Sequence, residues 1–264
     1  SSSGLTTAAD LAVLKGTSAG SLEVRNNNRT YYSYGIQSTL NHELVSSGGK
    51  IEPIGLLDVY IFSNINNEIK KLTETPNRSA NILKWSPDNK SILVMESIGT
   101  NSQVMSIEVE GNKVKYITNK ENLKYPIGYF SSVAFNKSTS LMAYCYEDLK
   151  TPIEVYFSKS KKFKNLVISN INSELKYPKL AMSERISWNS KDGLRIEGIL
   201  TYPKNYKKGK KYPIILQIHG GPAGVFSERF NARPGIYMTE YFAEQGYATI
   251  KPNPRGSTGY GKDF

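Results

Sequence analysis

A single beat recurs through the first part of the chain, and it restricts the fold more than any other feature. The stretches "VYIFSNINNEIKKLT" (residues 59–73) and "VMSIEVEGNKVKYIT" (residues 104–118) share one design. Each has an alternating apolar run, a polar turn, and a short strand closing on Leu-Thr or Ile-Thr. A third copy, "EVYFSKSKKFKNLV", begins at residue 154. The copies start at Val59, Val104 and Val155, at intervals of 45 and 51 residues. A second element keeps the same time. "WSPDNKSILV" (residues 85–94) sets a Ser-Pro-Asp-Asn turn between a large apolar residue and an alternating strand, and "FNKSTSLMAY" repeats it 50 residues on. "VRNNNRTYYS" matches it 61 residues upstream. Asn and Asp suit such turns because they tolerate left-handed backbone and bond their own main chain.

Repeats of about 40–50 residues, with several short strands each and no helix signal, mark β-propeller blades. A four-stranded blade cannot bury both its faces alone, so neighbouring blades must cover it. Three to four blades are expected between Leu11 and about Ala181, with residues 46–56 as a loop or insertion.

Composition excludes several alternatives. Of 264 residues, 39% are hydrophobic and 22% charged, as expected of a water-soluble globular chain. No apolar run approaches the roughly 18 residues of a membrane-spanning helix, so no membrane partner is expected. The opening "SSSGLTTAAD" lacks the basic start and apolar core of a signal peptide. The expected compartment is the cytoplasm, with the periplasm as the alternative. Cys145 stands alone, which rules out an intrachain disulfide or a cysteine-based metal site; a buried, inert thiol is expected. The net charge of +11 could attract nucleic acid. However, the lysine runs "SKSKKFKN" and "YKKGKKY" fall where turns are expected and lack helical amphipathicity, so no nucleic-acid partner is expected.

Past Ala181 the texture changes, placing a boundary between residues 1–182 and residues 183–264. "ERISWNSKDGLRIEGILTYP" reads as two strands joined at Ser190-Lys191-Asp192-Gly193, with Asp-Gly as the hairpin signal. The apolar run from Ile214 to Ile218 predicts a strand buried on both faces. A helix is expected from about Ile236 to Gln245, stopped by Gly246, and then the strand "YATIKPN". Strand, helix, strand begins a largely parallel, doubly wound sheet. In this chain that sheet is expected to end at "YATIKPN" with an unpaired edge and uncovered apolar faces, which favours association.

Two features carry candidate chemistry. Gly16-Thr17-Ser18-Ala19-Gly20 matches G-x-S-x-G, but a nucleophile elbow needs a strand before the serine and a helix after it. "AGSLEVRNNNRTYY" opposes a helix, so Ser18 is not the nucleophile. The informative motif is His219-Gly220-Gly221-Pro222, directly after the apolar strand. Ligands of open α/β sheets bind at strand carboxyl ends. The glycines allow a sharp turn that aims main-chain N–H groups at a reacting carbonyl oxygen, each worth on the order of 3 kcal/mol in an oxyanion hole. Gly221 N–H is the expected donor, flanked by Gly220, with His219 shaping the loop. Such loops are familiar after this strand in lipases and esterases.

The stretch "SWNSKDGLRIEGILTYPKNYKKGKKYPIILQIHGGPAG", followed by "YFAEQGYATIKPNPRGSTGYGKDF", resembles the start of the catalytic domain in the prolyl oligopeptidase family of serine peptidases. The acylaminoacyl-peptidase and dipeptidyl-peptidase-like branch is the most similar. The resemblance implies a β-propeller ahead of an α/β-hydrolase domain, peptide substrates, an acyl-enzyme, and no metal or organic cofactor. In α/β-hydrolases the triad follows the oxyanion loop in the order Ser, Asp or Glu, His. No G-x-S-x-G follows Gly221, and the other histidine, His42, precedes it. The chain is therefore expected to be a fragment, inactive alone, comprising later blades and the first part of the hydrolase domain. Arg255 and Tyr260, in "NPRGSTGYG", are candidate substrate-binding residues; Arg255 has the alternative role of tying loops together. The competing functional reading is a non-catalytic propeller interaction module with a degenerate hydrolase segment.

Overall fold

The structure, a computed structural model, describes residues 31–38, 56–63, 68–77, 79–118, 128–174, 176, 179–220, 223–233, 235–261 and 263–264. Ser18, His42 and Gly221 lie outside them.

Three antiparallel sheets follow one another in sequence. The first contains β1 (Tyr31–Ser38), β2 (Leu56–Ser63) and β3 (Glu68–Lys71). The second is a meander of β4 (Asn81–Trp85), β5 (Ser91–Ile98), β6 (Asn101–Glu108) and β7 (Val114–Tyr116). The third repeats it with β8 (Tyr129–Phe135), β9 (Leu141–Glu147), β10 (Glu154–Lys159) and β11 (Lys162–Val167). Their form is that of propeller blades.

The repeat is legible in single hydrogen bonds. Val59, Val104 and Val155 each accept, at the main-chain oxygen, an N–H from the residue thirteen positions on: Leu72, Ile117 and Ile168. In the second and third sheets a hydroxyl one residue further accepts the valine N–H, Thr118 at 2.9 Å and Ser169 at 2.7 Å. The predicted turns also recur. Asn89 N–H donates to Ser86 and Thr139 N–H to Asn136, both at 3.0 Å, and both residues have positive φ.

Apolar faces of successive sheets bury one another. Val59 and Ile61 of β2 pack with Trp85, Ile92, Val94, Met105 and Ile107 of the second sheet. The opposite face of the second sheet presents Val104 to Phe130, Met142, Tyr144 and Tyr146 of the third. Cys145 is half-buried rather than buried, because it alternates with the inward Tyr144 and Tyr146.

The last sheet has the order β12-β13-β15-β14, with β12 (Ser183–Asn189), β13 (Arg195–Thr201), β14 (Ile214–Leu216) and β15 (Ala248–Asn253). β12 and β13 form the expected hairpin, closed by Gly193 N–H to Ser190 at 2.9 Å. The sheet is mixed, not largely parallel: only β14 and β15 run parallel, linked through α1 (Thr239–Glu244). Three expectations are corrected here. α1 starts later than Ile236, because Ile236 and Tyr237 lie ahead of the cap residue Met238, whose carbonyl accepts the first helical bond, from Phe242 N–H at 3.1 Å. β15 is interior, and β14 forms the edge. β14 is not covered on both faces: Ile214, Leu216 and Ile218 share one face and are 59%, 57% and 62% exposed, since no described element packs over that face.

Two stability measurements test these assignments. Thr139 is β-branched yet sits at φ 54°, so Thr139→Asn is expected to stabilise the protein by about 1 kcal/mol in denaturant unfolding. Glu154 accepts from Ser169 Oγ, from Ile171 N–H at 3.0 Å and from Asn172 N–H at 2.9 Å. Led by the Ser169 bond, these contacts lower its pKa from the usual 4.5 to about 2. Its contribution is therefore present above pH 4.5 and is lost as pH falls towards about 2. Glu154→Gln should remove that acid-side loss, so wild-type and variant stabilities converge as pH is lowered through this window.

Candidate active site

β14 and β15 point the same way, so the loops leaving them emerge side by side. The first runs through Gln217 and Ile218 to His219 and Gly220; the second is the "PRGSTGYG" segment after Asn253. His219 Nε2 lies 3.0 Å from Ser257 Oγ, and Ser257 Oγ donates to Pro254 O at 2.6 Å. With that hydroxyl proton committed, Ser257 faces the ring as an acceptor, while the other ring nitrogen, Nδ1, stands 3.3 Å from Gly220 O. The loops meet twice more: Thr258 N–H donates to Gly224 O at 3.2 Å, and Thr258 Oγ1 donates to Ala223 O. Phe226 is locked to β15 by a reciprocal pair with Asn253, N–H to Oδ1 at 2.7 Å and Nδ2–H to O at 2.9 Å. Its ring meets His219 and Tyr237 edge-on. Tyr237 OH donates to Ile218 O at 3.1 Å, bracing the end of the strand from the other side.

The glycine sterically required here is Gly224. A Cβ there would stand 2.4 Å from Gly220 O and 3.0 Å from His219 Nδ1, whereas a Cβ on Gly220 would meet open space.

The segment after this loop is clamped onto the blades. Glu147, at the end of β9 and 3% exposed, accepts from Arg229 Nε at 2.6 Å and from Phe230 N–H at 3.1 Å. Arg233 approaches the same carboxylate at 3.9 Å. Glu228 N–H donates to Thr100 O at 2.7 Å, in the β5–β6 turn. The neighbouring Gly99 N–H donates to Gly259 O at 2.7 Å, and a Cβ on Gly259 would fall 3.1 Å from Gly99 O.

Between clamp and loop lies a cavity of about 460 Å³, lined by His219, Gly220, Phe226, Arg229, Arg233 and Lys251 among others. Lys251 occupies the inward face of β15 between Thr249 and Asn253. Burial, reinforced by the Arg233 guanidinium and opposed by Glu240, pulls its ammonium pKa down to about 8.

The structure brings His219 and Gly220 to the cavity but not Arg255 or Tyr260. Arg255 pairs with Asp192 at the exposed β12–β13 turn, the loop-tying role. Tyr260 OH is buried between Asn253 Nδ2 at 2.9 Å and Glu197 Oε2 at 3.3 Å. Sequence reasoning missed Ser257, Glu147, Arg229, Arg233 and Lys251. Lys251 left a trace, as a charge at an inward position of an alternating strand. Glu147 and Arg229 left none, since their pairing depends on how the last sheet meets the third. Among the described residues no cluster of three or more His, Cys, Asp or Glu could hold a metal ion. No described helix is long and apolar enough to cross a membrane.

No family model matches the chain. It is 32% identical over 194 residues to dipeptidyl-peptidase 5 of Aspergillus fumigatus, covering 70% of this chain and 25% of that relative. It is 30% identical over 213 residues to a probable dipeptidyl-peptidase 5 of Aspergillus clavatus, covering 77% and 28%. The chain belongs to the prolyl oligopeptidase family. It spans about a quarter of the length of these curated relatives. Among solved structures, Porphyromonas gingivalis dipeptidyl peptidase 4 superposes with a TM-score of 0.65 at 14% identity, covering 96% of this chain and 32% of that one. Pyrococcus horikoshii acylaminoacyl peptidase gives 0.59 at 17% identity, covering 92% and 34%. The shared architecture with these prolyl oligopeptidase relatives includes the antiparallel blade-like sheets.

Glu147 is the carboxylate that holds Arg229 and the Phe230 N–H in the clamp between the third sheet and the 223–233 segment. Glu147→Ala should cost about 3 kcal/mol in denaturant unfolding, the low end for breaking a buried pair because the Arg229 side chain is 33% exposed.

Proposed function

We propose that the protein to which this chain belongs is a serine peptidase, hydrolysing peptide bonds through an acyl-enzyme. In this reading the chain supplies propeller blades and the beginning of an α/β-hydrolase sheet. The His219-Gly220-Gly221 loop contributes main-chain N–H to the oxyanion hole, and the nucleophile, its histidine and its acid come from polypeptide beyond this sequence. The observation that carries the reading is the bond between His219 Nε2 and Ser257 Oγ, which pins the glycine loop at the carboxyl ends of two adjacent parallel strands. That is where an α/β sheet presents reacting groups. The names of the relatives, dipeptidyl-peptidase 5, support a peptide as the substrate. The exposed Ile214, Leu216 and Ile218 on edge strand β14 suit a sheet that continues with further strands.

In the reaction the serine oxygen attacks the scissile carbonyl, whose oxygen becomes an anion. A main-chain N–H held about 3 Å away stabilises that charge, and it does so at little reorganisation cost only if the loop is already rigid. His219, fixed by Ser257 and packed on Phe226, provides the rigidity.

The test uses the complete protein and dipeptide p-nitroanilides. Turnover with labelling by a fluorophosphonate supports the proposal; absence of both defeats it and leaves the interaction-module alternative. Ser257→Ala is expected to lower kcat by roughly 10-fold with little change in KM, a part of the 10²–10³ that a lost oxyanion donor costs, since Ser257 acts through His219. Ser257→Thr, which keeps the hydroxyl, should recover most of the loss.

A further inference from the structure

Lys251 is a charged group in a place that charged groups avoid. It is 9% exposed, yet its nearest assigned acceptor is Asn231 Oδ1 at 3.5 Å. That amide is itself committed on its other side, where Nδ2 donates to Ser183 Oγ at 2.7 Å. The Phe226 ring, 5.9 Å from the ammonium, offers only a distant face. Among the described residues Lys251 forms no ion pair. Glu240 acts on it from a distance and is bonded instead to Ala181 N–H at 3.0 Å.

Its neighbours add to the imbalance. Arg229 and Arg233 line the same cavity, so three cations face it. One carboxylate, Glu147, answers them, and it is shared. Its Oε1 takes Arg229 at 2.6 Å and Arg233 only at 3.9 Å, while its Oε2 is bonded to Phe230 N–H. Like charges repel, and a buried charge such as that of Lys251 is ordinarily paired. The charge left without a carboxylate is that of Lys251, and Arg233, half-exposed on the same cavity wall, has only the long approach to Glu147.

We propose that this cavity is a carboxylate subsite, in which Lys251 and Arg233 bind an acidic group of the peptide, carried either by an aspartate or glutamate side chain or by a free C-terminus. A carboxylate has two oxygens, one for an ammonium and one for a guanidinium fork. The cavity's size, about 460 Å³, admits a side chain, and Phe226 and Tyr237 give its methylene groups an apolar wall. His219 and Gly220 line the same cavity, so a bound carboxylate lies beside the loop assigned to the reacting carbonyl. The identity of the ligand as a peptide rests on the peptidase reading; the positive character of the cavity does not. The subsite would make the protein favour acidic peptides over neutral ones.

The experiment is calorimetric titration of the complete protein with three small probes. N-acetyl-glutamate α-amide carries only a side-chain carboxylate, N-acetyl-glutamine only an α-carboxylate, and N-acetyl-glutamine α-amide neither. At least one acid should bind and the neutral amide should not; the acid that binds more tightly identifies the source of the carboxylate. Lys251→Met and Arg233→Gln should each weaken that binding by about 10-fold or more, and Lys251→Arg should retain it. Arg233 is half-exposed, so its variant decides the matter if Lys251→Met fails to fold. Equal binding of acids and neutral amide overturns the proposal, as does acid binding unchanged in both variants. Hydrolysis of a neutral dipeptide p-nitroanilide is measured alongside. Cleavage without acid binding removes the subsite and leaves the peptidase, whereas Lys251-dependent acid binding without cleavage keeps the subsite and removes the peptidase.

Discussion

The structure depends on one constraint: a twisted four-stranded sheet with apolar residues on both faces is stable only between two neighbours. Val94 and Met105 on one face of the second sheet lie against Val59 and Ile61 of the first, while Val104, adjacent to Met105 in sequence, turns the other way to reach Phe130 of the third. Period-two alternation therefore serves two cores at once. The same constraint explains why the repeat is kept so closely. A one-residue slip would exchange the two faces of a blade and leave both cores mismatched.

The last sheet is attached by different physics. One apolar group, built from Leu149, Ile199 and Phe226, joins it to the third sheet. The specific attachments are polar and few: Glu147 with Arg229 and Phe230, Thr100 with Glu228, and Gly99 with Gly259. A buried carboxylate held by a guanidinium and a main-chain N–H is strongly directional, and it fixes orientation more than it adds stability. The residues that fix it lie in the same segment that closes the cavity, so the attachment and the site are formed by one stretch of chain.

How much of this was legible in the sequence follows from the range of each interaction. The hairpins at Val59, Val104 and Val155 were legible because their signal is local, an alternation interrupted by turn residues. The β12–β13 hairpin was legible for the same reason, through Asp192-Gly193. The apolar run at Ile214 to Ile218 predicts a strand buried on both faces, whereas the face that carries Ile214 and Leu216 is exposed, in line with the expectation of uncovered apolar faces. Composition cannot distinguish a strand that is covered from one that could be. At the site, His219 and Gly220 were found because glycines after an apolar strand announce a turn. Ser257 was passed over within "NPRGSTGYG", since its importance lies in which loop stands opposite. Arg255 drew attention as the charged member of that loop, but its partner Asp192 is a turn residue 63 positions away, and no local pattern joins them.

The contact between Gly99 and Gly259 carries a consequence beyond docking. The β5–β6 turn touches the glycine-rich loop where a side chain on Gly259 would press on the Gly99 main chain, and two residues before Gly259 stands Ser257, the anchor of His219. Backbone touching backbone leaves no flexible side chain to absorb a displacement. The second sheet, with Trp85 and Met105 in its core, is thereby joined to His219 through main-chain contact and Ser257, so a structural repeat and the glycine loop share one line of contact.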